Sequence, residues 1–176
     1  MTSRSTPTPT SSTCHDAMTP PPRSGRSTTI SRTSLILPPM SQRRAPISTD
    51  DLYALAAALG VTITEHTGGP KGRYVHQART ISLRRGLLCR EHRCTLAHEL
   101  AHAMAGDEPT GIDWADARME RAADVTAARW LISPDAYAAA EALYGPHPGA
   151  LARELGVTHH ILQVWQSLYE RTRHVA

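Results

Sequence analysis

Residues 95–102, Thr95-Leu96-Ala97-His98-Glu99-Leu100-Ala101-His102, decide how this chain is read. They contain His-Glu-x-x-His. On an α-helix four residues advance by about 400°, so the two imidazoles sit one turn apart on one face. That spacing lets both approach one tetrahedral metal ion at about 2.0–2.1 Å. Glu99 is one step round from His98, too far off that face to ligate comfortably but within reach of a water at the metal. A cation lowers the pKa of such a water from about 15.7 towards about 7. A carboxylate can then take its proton at neutral pH and pass it to a leaving amine. The motif thus supplies two ligands, His98 and His102, and a general base, Glu99. Leu96, Ala97, Leu100, Ala101, Ala103 and Met104 make nearly every other face of this helix apolar, and Gly106 stops it. A buried helix carries two histidines and a glutamate only if their polar atoms are satisfied.

The third ligand must come from elsewhere. A metzincin has Gly three residues after the second histidine and His six after, but Ala105 and Glu108 stand there and exclude that class. The next helix, opened by Asp113 or its neighbours, carries Glu120-Arg121-Ala122-Ala123-Asp124. Glu120 and Asp124 are four apart and share a face. Glu120 is the expected third ligand, with Asp107, Glu108 and Asp116 as rivals. Asp124 is expected to accept a hydrogen bond from the free ring nitrogen of His98 or His102, which fixes tautomer and ring orientation. Ala122, Ala123, Val125, Ala127 and Ala128 around them read as a buried helix. Two imidazoles and a carboxylate with an open position suit zinc hydrolysis best.

Working outward, order is expected from Ser48, where Ser48-Thr49-Asp50-Asp51 offers an N-cap with acids in the first turn. Leu52, Leu55, Ala56 and Leu59 then recur at helical spacing, and Gly60 ends the helix. Val61–Thr64 alternates like a strand. Gly68–Gly72 reads as a turn, and Tyr74–His76 with Arg79–Leu83 as a hairpin. From Leu87 onward the pattern is helical in four or five segments, broken at 106–111, at Ser133-Pro134, at 145–149 and at Gly156. The expected fold class is α+β, a short sheet followed by helices.

The front of the chain differs. Residues 1–48 hold 10 Ser, 9 Thr and 8 Pro, with 6 Arg against the single acid Asp16. The segment therefore carries +5, while the other 128 residues, with 13 basic and 15 acidic groups, carry −2. The overall +3 belongs to this stretch, and net charge does not support a basic nucleic-acid-binding domain behind it. Residues 1–47 read as a disordered tail. Met18 and Met40 are alternative starts to Met1. No run approaches the roughly 18–20 apolar residues of a bilayer span, and Leu35-Ile36-Leu37 is too short for a signal-peptide core. The expected location is intracellular. Three cysteines, Cys14, Cys89 and Cys94, do not make a disulfide framework.

Other features carry weaker signals. Cys89-x-x-His92-x-Cys94 crowds three potential ligands into six residues, against the spacing of structural zinc sites. His147, Tyr144, His76 and Tyr74 are possible donors to an oxyanion. Thr80–Arg84, taken as an edge strand, could pair with extended substrate backbone. Residues 150–170, with Gly156 between two apolar-faced segments, look like a helix-turn-helix, although the second helix offers no Lys or Arg before Arg171 to meet phosphates.

Thr95–His102, then Glu120-x-x-Ala-Asp124, then Ala127-Ala128-Arg129-Trp130-Leu131-Ile132-Ser133-Pro134, resemble the ImmA/IrrE family of gluzincin-like metallo-endopeptidases. The resemblance covers about Leu52 to Tyr169 and includes Ile81-Ser82-Leu83, which matches an edge strand preceding the active-site helix. Cys94 stands where the family often has an aromatic residue, and Asp124 where it often has Asn. The resemblance implies a zincin-like domain over residues 48–176 and a Zn2+-dependent protease acting in the cytoplasm. It also implies a regulatory protein as substrate, often a helix-turn-helix repressor of a phage or mobile element. The alternative from a different class is a non-enzymatic DNA- or protein-binding regulator that keeps the metal helix for structure.

Overall fold

The computed structural model describes residues 45–173, with side chains to residue 170. The Ser/Thr/Pro/Arg-rich stretch lies outside them up to residue 44. Helix α1 (Thr49–Ala58) begins with reciprocal bonds: the Asp51 N–H donates to Ser48 Oγ at 3.1 Å, and the Ser48 N–H to Asp51 Oδ2 at 3.2 Å. Two orphan donors of the first turn are thereby satisfied, so the helix starts where the sequence placed its cap.

Three strands follow, β1 (Thr62–His66), β2 (Gly72–Val75) and β3 (Thr80–Arg84), in the spatial order β1-β3-β2. β2 and β3 form the expected antiparallel hairpin, with Gly72 opposite Leu83 and Tyr74 opposite Ile81. β1 runs parallel to β3, Ile63 beside Ile81. This corrects the assignment of Thr80–Arg84 as an edge: β3 is the central strand, and the edges are β1 and β2. Alternation of side chains says which face of a strand is buried, but it carries no information on which neighbour lies on each side. Gly72, read as the end of a turn, is the first residue of β2.

Five helices complete the domain: α2 (Cys89–Ala105), α3 (Asp113–Leu131), α4 (Pro134–Tyr144), α5 (Pro148–Glu154) and α6 (His159–Arg173). The architecture is α+β, as the residue pattern predicts. Ile81 and Leu83 turn the inner face of the sheet onto α2, and α2 packs its other side on α3. The α3 helix rests in turn on α6. Leu96, Leu100, Leu131, Leu151, Leu162 and Trp165 are fully buried at these contacts, each such aliphatic side chain worth about 1.5–3 kcal/mol in transfer from water. α3 departs from the expected buried helix. Ala123, Ala127 and Ala128 are covered, whereas Arg118, Ala122 and Arg129 on the far side are exposed; Glu120, three residues before Ala123, shares the covered face and is exposed near its N-terminal end.

Ser133 caps α4 by accepting the Ala136 N–H at 3.1 Å, with Pro134 at the first helical position. The helix-turn-helix-like pair is α5 and α6 around Gly156, and its apolar residues Leu151, Val157, Ile161 and Leu162 point into the core. Arg93 staples three segments together, donating to the carbonyls of Leu155 and Gly156 at 3.3 Å and of Ile47 at 2.8 Å. Among the described residues, no helix is long and apolar enough to cross a membrane.

Candidate metal centre

Helix α2 presents His98 and His102 one turn apart, towards α3. The 3.6-residue period sets their spacing, and Gly106 ends the helix just beyond them with φ 73°, its N–H bonded to the His102 carbonyl at 2.9 Å. Helix α3 brings Glu120 across. The two histidine Nε2 atoms stand 3.1 Å apart. Glu120 Oε2 lies 3.2 Å from His98 Nε2, and Glu120 Oε1 lies 3.5 Å from His102 Nε2. The edge of a tetrahedron with bonds of about 2.0–2.1 Å measures about 3.3 Å. Among the described residues, His98, His102 and Glu120 are the group whose ligand atoms gather closely enough to hold a metal ion. Donor chemistry and spacing both fit a small divalent cation.

The outward nitrogens of both rings are held. His98 Nδ1 is 3.0 Å from Asp124 Oδ1, and His102 Nδ1 is 2.8 Å from Asp107 Oδ2. With each Nδ1 facing a carboxylate, each Nε2 faces the shared centre. Asp124 also takes His160 Nε2 of α6 on its second oxygen, at 2.7 Å. Burial alone would raise the pKa of Asp124, but its bonds to His98 and His160 overcome this and hold it below the usual carboxylate value. Burial alone would likewise lower the pKa of His98. The Asp124 bond and the charges of Glu99, Asp124 and Glu120 outweigh it and push the ring upward. Both shifts express one arrangement: an imidazole and a carboxylate stabilising each other's charge.

The rival acids are engaged elsewhere. Asp107 serves His102 from behind. Glu108 accepts from Gln77 Nε2 at 3.0 Å. Asp116 ties the α2–α3 loop by accepting the Thr110 N–H, the Thr110 hydroxyl and the Gly111 N–H.

Glu99 sits apart from the three gathered side chains, on the side of α2 that faces β2, and is only 8% exposed. Burial pushes its carboxyl above the usual range. The charges of His98 and His102 and a hydrogen bond from the Tyr74 backbone N–H pull it part of the way back. A carboxyl held between these influences is poised to exchange a proton.

The weaker candidates fall into two groups. Tyr74 and His76 lie on or next to β2, with the Tyr74 hydroxyl 3.3 Å from His76 Nδ1 and His76 Nε2 3.9 Å from Glu108. Tyr144 ends α4 and His147 precedes the first residue of α5, and the Tyr144 hydroxyl donates to Glu154 at 3.0 Å. Cys94 is buried and its Sγ accepts the Thr158 N–H at 3.3 Å, while His92 meets the Tyr53 hydroxyl at 3.2 Å. Neither joins the metal-holding group. Sequence reasoning missed Asp107 as the partner of His102, as well as His160 and Gly72. Asp107 was accessible in principle, because a residue just after a helix-ending glycine can fold back on the last turn. His160 and Gly72 carry no local signal of their positions.

Residues 56–164 match the family model for the IrrE N-terminal-like domain, a peptidase family. No curated protein matches the chain.

Proposed function

The chain belongs to the IrrE N-terminal-like family of peptidases, and from that premise we propose that it is a Zn2+-dependent endopeptidase that cleaves a regulatory protein in the cytoplasm. The single observation that carries the chemistry is the gathering of His98, His102 and Glu120 at 3.1–3.5 Å. These three would hold the ion. When bound there, zinc supplies Lewis acidity, lowering the pKa of water towards about 7 and polarising a carbonyl oxygen. Asp124 and Asp107 hold the two rings in the ligating tautomer. Glu99 accepts the proton of the attacking water and returns it to the departing amide nitrogen.

Substrate access is supported by the sheet order. β2 is an edge strand lying beside Glu99. Lys71 bonds β3 through its carbonyl, which accepts the Arg84 N–H at 2.8 Å. The alternation of an antiparallel ladder then turns the backbone of Gly72 and Tyr74 away from β3, and with the Tyr74 N–H taken by Glu99 the groups left for a partner strand are the Gly72 N–H and the two carbonyls. An extended peptide can add along that edge. The substrate class we propose, a helix-turn-helix repressor of a phage or mobile element, rests on the resemblance of the two motifs to ImmA/IrrE proteins.

The test is Glu99→Gln. The purified variant should bind one zinc per chain by elemental analysis and keep its fold, yet lose cleavage of fluorescein-labelled casein and of co-expressed repressors encoded nearby. Unchanged biological activity in the variant would sink the peptidase and favour a regulator that uses the metal helix only for structure.

A further inference from the structure

Gly72 has an ordinary negative-φ backbone, so a left-handed turn does not explain it. Its surroundings do. A Cβ at this position would stand 2.5 Å from Thr95 Cγ2, 2.6 Å from Glu99 Oε1 and 2.8 Å from Glu99 Cγ. All three distances are shorter than carbon contacts allow. Thr95 and Glu99 are four residues apart on α2, so they form one stripe, and β2 crosses it at the residue without a side chain.

The strand cannot ease away at little cost. It is bonded to β3 on its other edge, and its Tyr74 N–H, two residues on, donates to the Glu99 carboxylate. Lifting β2 to admit a side chain would break that bond. Keeping β2 in place would force Glu99 to rotate out of its seat. The three atoms nearest such a Cβ belong to Thr95 and Glu99, not to His98, His102 or Glu120.

We infer that Gly72 is a positioning residue for Glu99: its missing side chain lets the edge strand close on α2 and seat the carboxylate against the Tyr74 N–H. The inference rests on the proposed role of Glu99 as base. It goes beyond that role by making β2 a template for the base, separate from the metal ligands on the α3 side. Substitution at position 72 should therefore silence proton transfer and leave the metal in place.

The experiment uses the full chain in a Thr95→Ala background, which removes the Cγ2 atom and isolates the contact with Glu99. Two readouts are taken. In the first, thermal unfolding of the metal-free chain follows a double-mutant cycle of Gly72→Ala and Glu99→Ala. Gly72→Ala should lower Tm by several degrees when Glu99 is present and by much less when Glu99→Ala is also made. In the second, the zinc-loaded chain cleaves fluorescein-labelled casein. Gly72→Ala should reduce kcat by about a hundredfold, the lower range of general acid–base catalysis. KM should stay nearly constant, as should zinc affinity measured against a chromophoric chelator. Additive Tm changes would overturn the inference, and so would undiminished kcat. Should Thr95→Ala alone restore full activity to a Gly72→Ala chain, the glycine serves packing only and the inference fails. If the unsubstituted zinc-loaded chain cleaves nothing, the peptidase reading fails instead, and the Tm cycle still decides whether Gly72 seats Glu99.

Discussion

The two flanks of α2 work by different means. Towards α3 the helix meets charged side chains: Glu120 closes on both imidazoles and Asp124 anchors His98. Towards β2 it meets backbone, a Tyr74 N–H on Glu99 and a glycine that makes room for it. One flank gathers side chains that could hold a cation, and the other seats the carboxylate proposed to move protons. Neighbouring residues on one helix, His98 and Glu99, thus draw on separate supports. The lesson is that metal binding and proton transfer should be separable by mutation, although their residues are adjacent in the chain.

The largest expected effect comes from the α3 flank. His102→Ala removes a ligand outright, so elemental analysis should find zinc well below one per chain after dialysis, with casein cleavage lost. Glu120→Ala should act in the same direction. If zinc stays at full occupancy there, the third ligand is another group and the contrast between the flanks is lost.

Next comes the β2 flank. Glu99→Gln should reduce cleavage by about 10²–10⁴-fold while zinc affinity changes little. Loss of zinc in this variant would join the two flanks into one unit and break the comparison.

Smaller effects sharpen it. Asp124→Ala and Asp107→Ala each free one ring, and each should weaken zinc binding by about 10–100-fold in chelator competition. His160→Gln, which touches only the outer oxygen of Asp124 from a mostly exposed position, should change zinc affinity by a few-fold at most. An effect as large as that of Asp124→Ala would make α6 an integral wall of the site. Outside both flanks, Arg93→Ala leaves the carbonyls of Ile47, Leu155 and Gly156 without their donor. It should cost about 1–3 kcal/mol in denaturant unfolding with no change in zinc affinity.

Legibility in the sequence followed the range of each interaction. Helix α1 could be read because its cap is built from residues three apart. The pairing of His98 with His102 could be read because four residues on a helix have only one relative placement. Glu120 and Asp124 were legible as a shared face, but that this face meets α2 is a fact of packing. Strand order was misread at Thr80–Arg84, since the parallel contact with β1 spans residues eighteen apart in register and leaves no trace in alternation. The alanine-rich run of α3 reads as a buried helix, and only one side of it is covered. Alanine tolerates both environments, and Ala122 lies on the uncovered side, away from the face that presents Glu120.

The amino-acid order by itself determined the α+β class, the helical segments and the placing of His98 and His102 on one helix face, because turns of helix and capping bonds are settled within a few residues. Only the tertiary structure decided which carboxylate stands behind which imidazole, that α6 reaches Asp124, and that an edge strand presses a bare glycine against Glu99. Those contacts join segments 5 to 36 residues apart, and a chain brings such groups together only when the burial of apolar surface elsewhere compensates for the entropy of closing the loops between them.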